Sequence, residues 1–292
     1  MRGRCNLFRP LVAATNRTCE LTRLWQKPTL GARVIRRCHF SVCPGVLSDQ
    51  YTQWLACNMK IVTWNCNGAF RNKFQEIAKL GADIYVIQEC ENPEHSKGEY
   101  GKWAENYLWV GDSKHKGLGI FASSSVKIQR LSWESNGLQL FLPISVNGQF
   151  NLVGVWTKYA NSPTFRYIGQ LWKYLELHKE KMAASHTVLC GDLNSNKIWD
   201  VWDRWWNHSD VVRELNNINM VSLYHAVTGE AQGSESVPTL YHQRNLQKPY
   251  HIDYAFSAKD IFNSQRNTVS VGSHTEWLKF SDHVPLTFTI AC

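Results

Sequence analysis

Five short polar signatures carry the residues that could do chemistry in this chain. Each one ends, interrupts or follows an apolar run typical of a β-strand, and a group at the end of a buried strand is held rigidly at a sheet edge. Several such groups can converge on one metal ion and one phosphate, since carboxylate and amide oxygens are the ligands that Mg²⁺ prefers. The signatures are Asn65 in Trp64-Asn65-Cys66-Asn67-Gly68, Glu89 after Gln88, Asp192-Leu193-Asn194, Asp253 in His251-Ile252-Asp253-Tyr254, and Asp282-His283.

The runs between these signatures predict one domain of many strands and few helices. A β-branched strand at 60–64, a helix at 71–80 and a strand at 83–89 form a crossover unit. A second helix is predicted over 164–182, and Asn147-Gly148 marks a hairpin turn. This pattern indicates an α/β sandwich. Further strands are predicted at 117–122, 139–144, 150–156, 187–190, 251–257, 268–271 and 284–290.

Each signature also has an ordinary structural interpretation. Asn65 before a glycine-containing cluster is typical of a turn, and Glu89 of a solvated strand end. Asp192-Leu193-Asn194 after a glycine suits an N-cap or an Asx-turn, Asp253 could simply face water, and His283 suits a core position. The joint order of all five signatures is far more specific than any one of them.

In that order the signatures resemble the endonuclease/exonuclease/phosphatase superfamily, which includes abasic-site endonucleases, deoxyribonuclease I and neutral sphingomyelinases. The resemblance covers residues 59–290 and is greatest for small stand-alone members. Its most diagnostic pieces are Gly191-Asp192-Leu193-Asn194-Ser195 and Ser281-Asp282-His283-Val284-Pro285-Leu286. It implies a four-layer α/β sandwich, in which two mainly antiparallel or mixed sheets pack face to face between flanking helices.

The resemblance implies a metal-dependent hydrolase of phosphate esters. By correspondence with the family, Asn65, Glu89 and Asp282 would hold Mg²⁺, for which Mn²⁺ can substitute. The catalytic residues would be Asp192, Asn194, Asp253 and His283.

The family assigns a role to each of these four catalytic residues. Asp192 would orient or deprotonate the attacking water, and Asn194 would hold that water or a phosphate oxygen. His283 would contact a non-bridging phosphate oxygen, while Asp253 would pair with the other ring nitrogen and favour the protonated imidazole. No serine or cysteine nucleophile is required.

The chain departs from the family pattern at the end of the strand at 150–156. Many members carry a His or Tyr there, whereas this chain has Trp156-Thr157-Lys158-Tyr159. Trp156 could stack on a base or merely pack, and Lys158 or Tyr159 could contact the phosphate. Thr239 is a further candidate for a phosphate-side hydroxyl, with a turn or strand start as the simpler interpretation.

The catalytic set indicates the reaction and leaves the substrate open. Nucleic acid, DNA or RNA, is the leading expectation, and the alternative is a small nucleotide, a phosphoinositide or a sphingolipid head group. Four tryptophans interleaved with Lys197, Arg204 and His208 suit base stacking and backbone contact, but the helical spacing of three of them, all except Trp205, suits a buried stripe at least as well. They are Trp199, Trp202, Trp205 and Trp206.

Charge and cysteine are concentrated in the first 58 residues. That extension holds nine of the 32 basic and two of the 24 acidic side chains, so it carries +7 of the net charge of +8. Charge is therefore no evidence that the domain at 59–292 binds nucleic acid. The extension, which carries five of the nine cysteines, resembles a disordered segment or a mitochondrial presequence. We expect a cytoplasmic monomer without a transmembrane segment, or a mitochondrial one if the presequence is genuine.

Overall fold

Two six-stranded β-sheets lie at the centre of the domain. The computed structural model describes residues 58–159 and 162–291, so the predicted extension lies outside the described residues except for Asn58. The first sheet contains β1 (Asn58–Asn65), β2 (Ile84–Cys90), β3 (Tyr107–Ser113), β4 (Lys116–Ala122), β13 (Val269–Val271) and β14 (Leu286–Ala291). Its order is β13-β14-β1-β2-β4-β3, and only β1 and β2 run parallel.

The second sheet repeats this plan. It contains β5 (Ile128–Arg130), β6 (Phe141–Val146), β7 (Phe150–Trp156), β8 (Thr187–Asp192), β9 (Met220–Ser222) and β12 (Asp253–Ala258). Its order is β5-β6-β7-β8-β12-β9, and only β7 and β8 run parallel. A separate two-stranded ribbon pairs β10 (Leu240–Tyr241) with β11 (Pro249–Tyr250).

Alternation along the strands builds the layers, because successive side chains point to opposite faces. In β2, Ile84 and Val86 enter the apolar core between the sheets, whereas Tyr85 and Ile87 face a second core. Helices α1 (Phe74–Ala78), α2 (Glu99–Trp103) and α6 (His274–Trp277) cover that second core. Helices α3 (Ile168–Ala183) and α4 (His208–Asn217) cover the outer face of the second sheet. A further helix is α5 (Leu223–Thr228). The predicted four-layer sandwich is confirmed.

The strand ends that carry the signatures meet at one edge of this sandwich. Asn65 is the last residue of β1, Asp192 the last of β8 and Asp253 the first of β12, and Asp253 pairs directly with Asp192 in the antiparallel register. Strands β1 and β2 of the first sheet both contact β8 of the second. The face-to-face packing therefore brings polar groups from both sheets to the same place.

Several predicted boundaries and one predicted pattern need correction. β1 begins at Asn58, two residues before the predicted start, and the helix predicted at 71–80 is only α1, preceded by a 3₁₀ turn at Phe70–Asn72. Helix α4, which sequence periodicity missed, is short and largely polar. The tryptophans at 199–206 do not form a buried helical stripe, because the chain there consists of a 3₁₀ turn and loops with exposed rings.

Two smaller features concern the described cysteines and helices. Cys66, Cys90 and Cys190 are free and buried, and each packs as a small apolar side chain. None of the helices between Asn58 and Ala291 combines the length and apolar character needed to cross a bilayer.

Gly191 is a position where the fold tolerates no side chain. Its φ is +149°, and a Cβ there would lie 1.8 Å from the carbonyl oxygen of Val155 on β7. We expect Gly191→Ala to lower the free energy of unfolding by at least about 3 kcal/mol, through clash and backbone strain. Gly148→Ala is the control, because Gly148 has φ +69° but open space around its Cβ, and should cost about 1 kcal/mol. Urea unfolding measures both, and equal losses would contradict the clash.

Candidate active site

Two buried carboxylates and one buried imidazole form the centre of the site. Asp192, Asp253 and His283 each offer a ligand-type atom within 4.8 Å of the others. His283 Nδ1 and Asp253 Oδ2 are 2.8 Å apart, and the side chains are 8% and 1% exposed, so this pair is shielded from water. The ring nitrogen Nε2 points away from Asp253 and is the one that a substrate could meet.

Three hydrogen bonds hold the Asp192 carboxylate. Asn65 Nδ2, from the first sheet, donates to Oδ2 at 2.9 Å. Asn194 donates its backbone N–H to Oδ1 at 2.8 Å and its side-chain amide to Oδ2 at 3.1 Å. Asn194 Nδ2 also donates to the Thr157 carbonyl at 2.7 Å, so its N–H groups serve the protein and only its carbonyl oxygen is left for a water or phosphate partner. The local Asx-turn is therefore part of the site rather than an alternative to it.

Thr239 supports Asp253 from behind. Its hydroxyl accepts the backbone N–H groups of Ile252 and Asp253, both at 3.0 Å, and the side chain is fully buried. The hydroxyl oxygen thus holds the backbone that starts β12, and contact of its O–H with a phosphate stays a prediction. Thr239 also lies directly before β10, in line with the simpler interpretation as a strand start.

The Asp282-His283 segment is fastened to the end of β1. Trp64 Nε1 donates to the His283 carbonyl at 3.0 Å, and Ser281 Oγ donates to the Asn65 carbonyl at 2.7 Å. The His283 N–H in turn donates to Ser281 Oγ at 3.1 Å. Trp64 and Ser281 lie inside the signatures, yet the sequence alone assigned them no role, because their partners are more than 200 residues away.

Glu89 owes its orientation to a bulge in β2. The pairing of β2 with β4 shifts register between Gln88 and Cys90, and Glu89 adopts φ +64°. A bulge redirects one side chain out of the strand pattern, and such strained positions concentrate at functional sites. Glu89 Oε1 lies 3.4 Å from Asn65 Nδ2, and Oε2 lies 2.7 Å from the Lys116 ammonium group, a neighbour that was not among the predicted site residues.

Asp282 contacts the turn that follows β1. Its Oδ1 accepts a hydrogen bond of 2.9 Å from Asn67 Nδ2. Asn67 was noted as part of the first signature but not as a site residue. Among the described residues, Asp282 forms no hydrogen bond with Asn65, so its place among the predicted metal ligands stays a prediction.

The end of β7 is a cationic surface over a buried ring. Trp156 is only 7% exposed, and the ammonium groups of Lys116 and Lys158 lie 5.7 and 5.5 Å from its ring centroid. Packing is therefore the role of Trp156 in this structure, and base stacking on it is not supported. Lys158 also pairs with Asp112 at 3.0 Å, and Tyr159 is half-exposed beside the Arg166 guanidinium group.

Comparison with known proteins decides the family. Residues 62–283 match the model of the endonuclease/exonuclease/phosphatase family. The chain belongs to this family. No relative matches among curated proteins. The family resemblance expected from the five signatures is confirmed, and its members act on phosphate esters.

Solved structures of the same fold are distant in sequence. The 3'-5' exonuclease NExo from Neisseria meningitidis is 20% identical with a TM-score of 0.61, over 80% of this chain and 100% of that one. A Neisseria 3' phosphatase NExo bound to product DNA hairpin is 19% identical with a TM-score of 0.60, over 79% and 98%. An AP endonuclease from Archaeoglobus fulgidus is 17% identical with a TM-score of 0.58, over 80% and 100%. At these identities the likeness establishes the fold.

Burial and ion pairing set the protonation states of Asp192 and His283. Burial raises the pKa of Asp192 to about 7, a rise that Asp253 adds to and the His283 cation opposes. Burial disfavours the His283 cation, yet the carboxylates of Asp253 and Asp192 outweigh it and raise the pKa of His283 to about 10. At neutral pH the imidazole is therefore protonated and can only donate.

The positive charge of His283 determines where a divalent cation can bind in the site. A protonated imidazole cannot act as a metal ligand, so the Asp192–Asp253–His283 group is a poor cation site although its atoms are close together. The Glu89 carboxylate fits better, because it is partly exposed and its nearest proton donor is the Lys116 ammonium group, which a divalent cation would have to displace. Carboxylate and amide oxygens suit Mg²⁺. In this structure Asn65 directs Nδ2 toward Glu89 and its Oδ1 accepts the Asn67 N–H, so the Asn65 amide would have to rotate to bind a cation.

The effect of Asp253 on the pKa of His283 can be measured by NMR. Asp253→Asn removes the main attraction that raises the pKa of His283, so that pKa should fall to the ordinary histidine range or below it. In metal-free wild type, the Cε1–H resonance of His283, assigned by its loss in His283→Gln, should keep the chemical shift of a protonated imidazole between about pH 6 and 8.5, with only a small change as Asp192 titrates near 7. Conversion of that resonance to the shift of a neutral imidazole near pH 6.5 in wild type would contradict the pairing. Because the folded state binds the His283 proton more tightly than the unfolded chain does, protonation of His283 adds to the free energy of unfolding. This contribution is complete below about pH 6.5 and is lost as pH rises through about 10.

Proposed function

We propose that this chain is a Mg²⁺-dependent phosphodiesterase that cleaves nucleic acid with a water nucleophile. The observation that carries the proposal is the buried Asp192 carboxylate, held by Asn65 and Asn194 within reach of a protonated His283. A base and a fixed cation side by side suit attack of water on a phosphate. In the proposed site Mg²⁺, bound by Glu89 and Asn65 with Asp282 nearby, would neutralise phosphate charge.

The side chains of the chain itself would divide the remaining tasks. Asp192 would accept the proton of the attacking water, since a carboxylate with a pKa near 7 works as a base at neutral pH. Asn194 would offer its free carbonyl oxygen to the same water. His283 would donate through Nε2 to a non-bridging phosphate oxygen, with its ring orientation fixed by Asp253. Lys116 and Lys158 would add positive charge at the rim.

Nucleic acid is the favoured substrate class for two reasons. The fold neighbours include an exonuclease, an AP endonuclease and a 3' phosphatase bound to a DNA hairpin. The chain shortly after Asn194 also carries exposed tryptophans, Trp199, Trp202 and Trp205, whose rings suit stacking on bases. Phosphatase action is the second candidate, because one of those neighbours is a 3' phosphatase.

A substrate panel with site variants tests this proposal. The full chain is assayed with and without Mg²⁺ on abasic duplex DNA, single-stranded DNA, RNA, a 3'-phosphorylated oligonucleotide, sphingomyelin and bis-p-nitrophenyl phosphate. We expect Mg²⁺-dependent cleavage of a nucleic acid, lost on addition of EDTA. Asp192→Ala and His283→Ala should each lower kcat/KM by at least roughly 10²-fold, as for removal of a positioned base or a transition-state donor.

The chain offers a matched control at the opposite end of the same two strands. His186, just before β8, pairs with Asp260, just after β12, at 2.8 Å, but both side chains are well exposed. Asp260→Ala and His186→Ala should leave kcat/KM within about twofold of wild type, since exposed pairs contribute little. Near-wild-type rates in both site variants would overturn the assignment of Asp192 and His283. Cleavage of sphingomyelin or of the 3'-phosphate alone would overturn nucleic-acid cleavage while leaving phosphoester hydrolysis in place.

A further inference from the structure

The segment at 197–206, which we call the tryptophan loop, presents large apolar side chains to solvent. It begins three residues after Asn194. Trp202 is 96% exposed and Trp205 is 62% exposed, and Ile198, Trp199 and Val201 are also exposed. A cluster of exposed large apolar side chains on one loop marks an interaction surface more often than a chance arrangement. The folded state leaves these rings in water although burial would stabilise it.

Hydrogen bonds of a buried asparagine fix the start of the loop. Asn196 is 2% exposed, and its Nδ2 donates to the His251 carbonyl at 2.9 Å and to the Tyr254 hydroxyl at 3.0 Å. Its Oδ1 accepts the Ile198 N–H at 3.0 Å. These bonds tie the loop to the residues on either side of Asp253.

A second asparagine fixes the end of the loop. Asn207 Oδ1 accepts the Val201 N–H at 2.9 Å and Arg204 Nε at 2.8 Å, while its Nδ2 donates to the carbonyls of the same two residues. Asp200 accepts the N–H groups of His208 and Ser209 at 2.9 and 3.3 Å. The exposed rings therefore belong to a cross-braced loop, and a ligand would meet a surface that is already organised.

The tryptophan loop contacts the segment that leads into the candidate active site. The Trp199 ring lies 5.0 Å from the ring of Tyr250, which is three residues before Asp253. Trp205 contacts Trp206 edge-to-face at 4.7 Å, and Trp206 in turn packs on Phe165 at 4.6 Å. Trp199 thus packs against β11, just before Asp253, whereas Trp205 and Trp206 of the same loop form a second aromatic group with Phe165.

We propose that the tryptophan loop is a docking surface on which unpaired bases of the nucleic-acid substrate stack while an adjacent phosphodiester occupies the active site. The inference rests on the proposed function and adds to it a preference for single-stranded or locally unpaired substrate. Tryptophan faces stack on any base, and the exposed Lys197 suits the phosphate backbone between bases. Asp203 stands exposed between Trp202 and Trp205, which opposes insertion into lipid, because burying a carboxylate in an acyl region is costly. Beside a nucleic acid, that carboxylate stays in water.

Binding by the full chain tests the proposal without catalysis. Fluorescence anisotropy of a labelled single-stranded 20-mer is measured in EDTA for wild type, for the double variant Trp202→Ala/Trp205→Ala and for Trp202→Phe/Trp205→Phe. We expect the Ala variant to raise Kd by at least roughly tenfold, and the Phe variant to recover most of the loss, since a phenyl ring still stacks on a base. Leu246→Ala, at an exposed apolar residue outside the loop, is the control and should bind as wild type does. Thermal unfolding checks that the variants fold, as expected for exposed rings.

Kinetics separate this proposal from the proposed function. In the Ala variant the ratio of kcat/KM for the single-stranded oligonucleotide to kcat/KM for bis-p-nitrophenyl phosphate should fall at least roughly tenfold, mainly through KM. An unchanged Kd and an unchanged ratio would overturn the docking surface, while Mg²⁺-dependent cleavage by wild type would leave the proposed function standing. Co-sedimentation with phosphatidylcholine/phosphatidylserine vesicles that is lost in the Ala variant, with Kd for the 20-mer unchanged, would overturn it in favour of a membrane surface.

Discussion

The structure depends on one electrostatic constraint, the burial of two carboxylates side by side. Asp192 and Asp253 face each other in the register of β8 and β12, and both are 1% exposed. Two such groups cannot both be ionised in a low-dielectric site without a compensating cation. The His283 imidazolium supplies that charge at 2.8 Å from Asp253, and Asn65 and Asn194 supply hydrogen bonds to Asp192. The charged group that suits phosphate chemistry is therefore also what makes this burial tolerable.

The two-sheet architecture is what allows these groups to meet. Asp192 and Asp253 come from the second sheet, whereas Asn65 comes from the first, and His283 lies on the segment that enters β14 of the first sheet. The Asn65–Asp192 hydrogen bond and the Asp253–His283 pair both cross from one sheet to the other. Trp64, Ser281 and Thr239 then fix the backbones that carry them. Rigid strands and short braces hold the group without help from a long loop, as preorganised electrostatics require.

Much of this arrangement could be predicted from the sequence, and the remainder depends on distant contacts. The five signatures lie at strand ends because apolar runs and turn residues are local features that a sequence displays directly. The pairing of Glu89 with Lys116 and the direction of the Thr239 hydroxyl depend on a bulge and on register, which local patterns do not encode. The periodicity of Trp199, Trp202 and Trp206 gave a wrong prediction of a buried helical stripe. These residues have helical spacing, but they lie in a loop whose backbone is held by Asn196 and Asn207. Hydrophobic periodicity also fails to detect short polar helices such as α4.

A double-mutant cycle on the Asp253–His283 pair tests the central claim most directly. The values of kcat/KM are measured for wild type, Asp253→Asn, His283→Gln and the double variant, with the exposed Asp260–His186 pair carried through the same substitutions. If the pair acts as one unit, the double variant should fall within about tenfold of the more damaged single variant, and the control pair should show no coupling. Losses that multiply in the double variant would contradict the account, because Asp253 and His283 would then act independently.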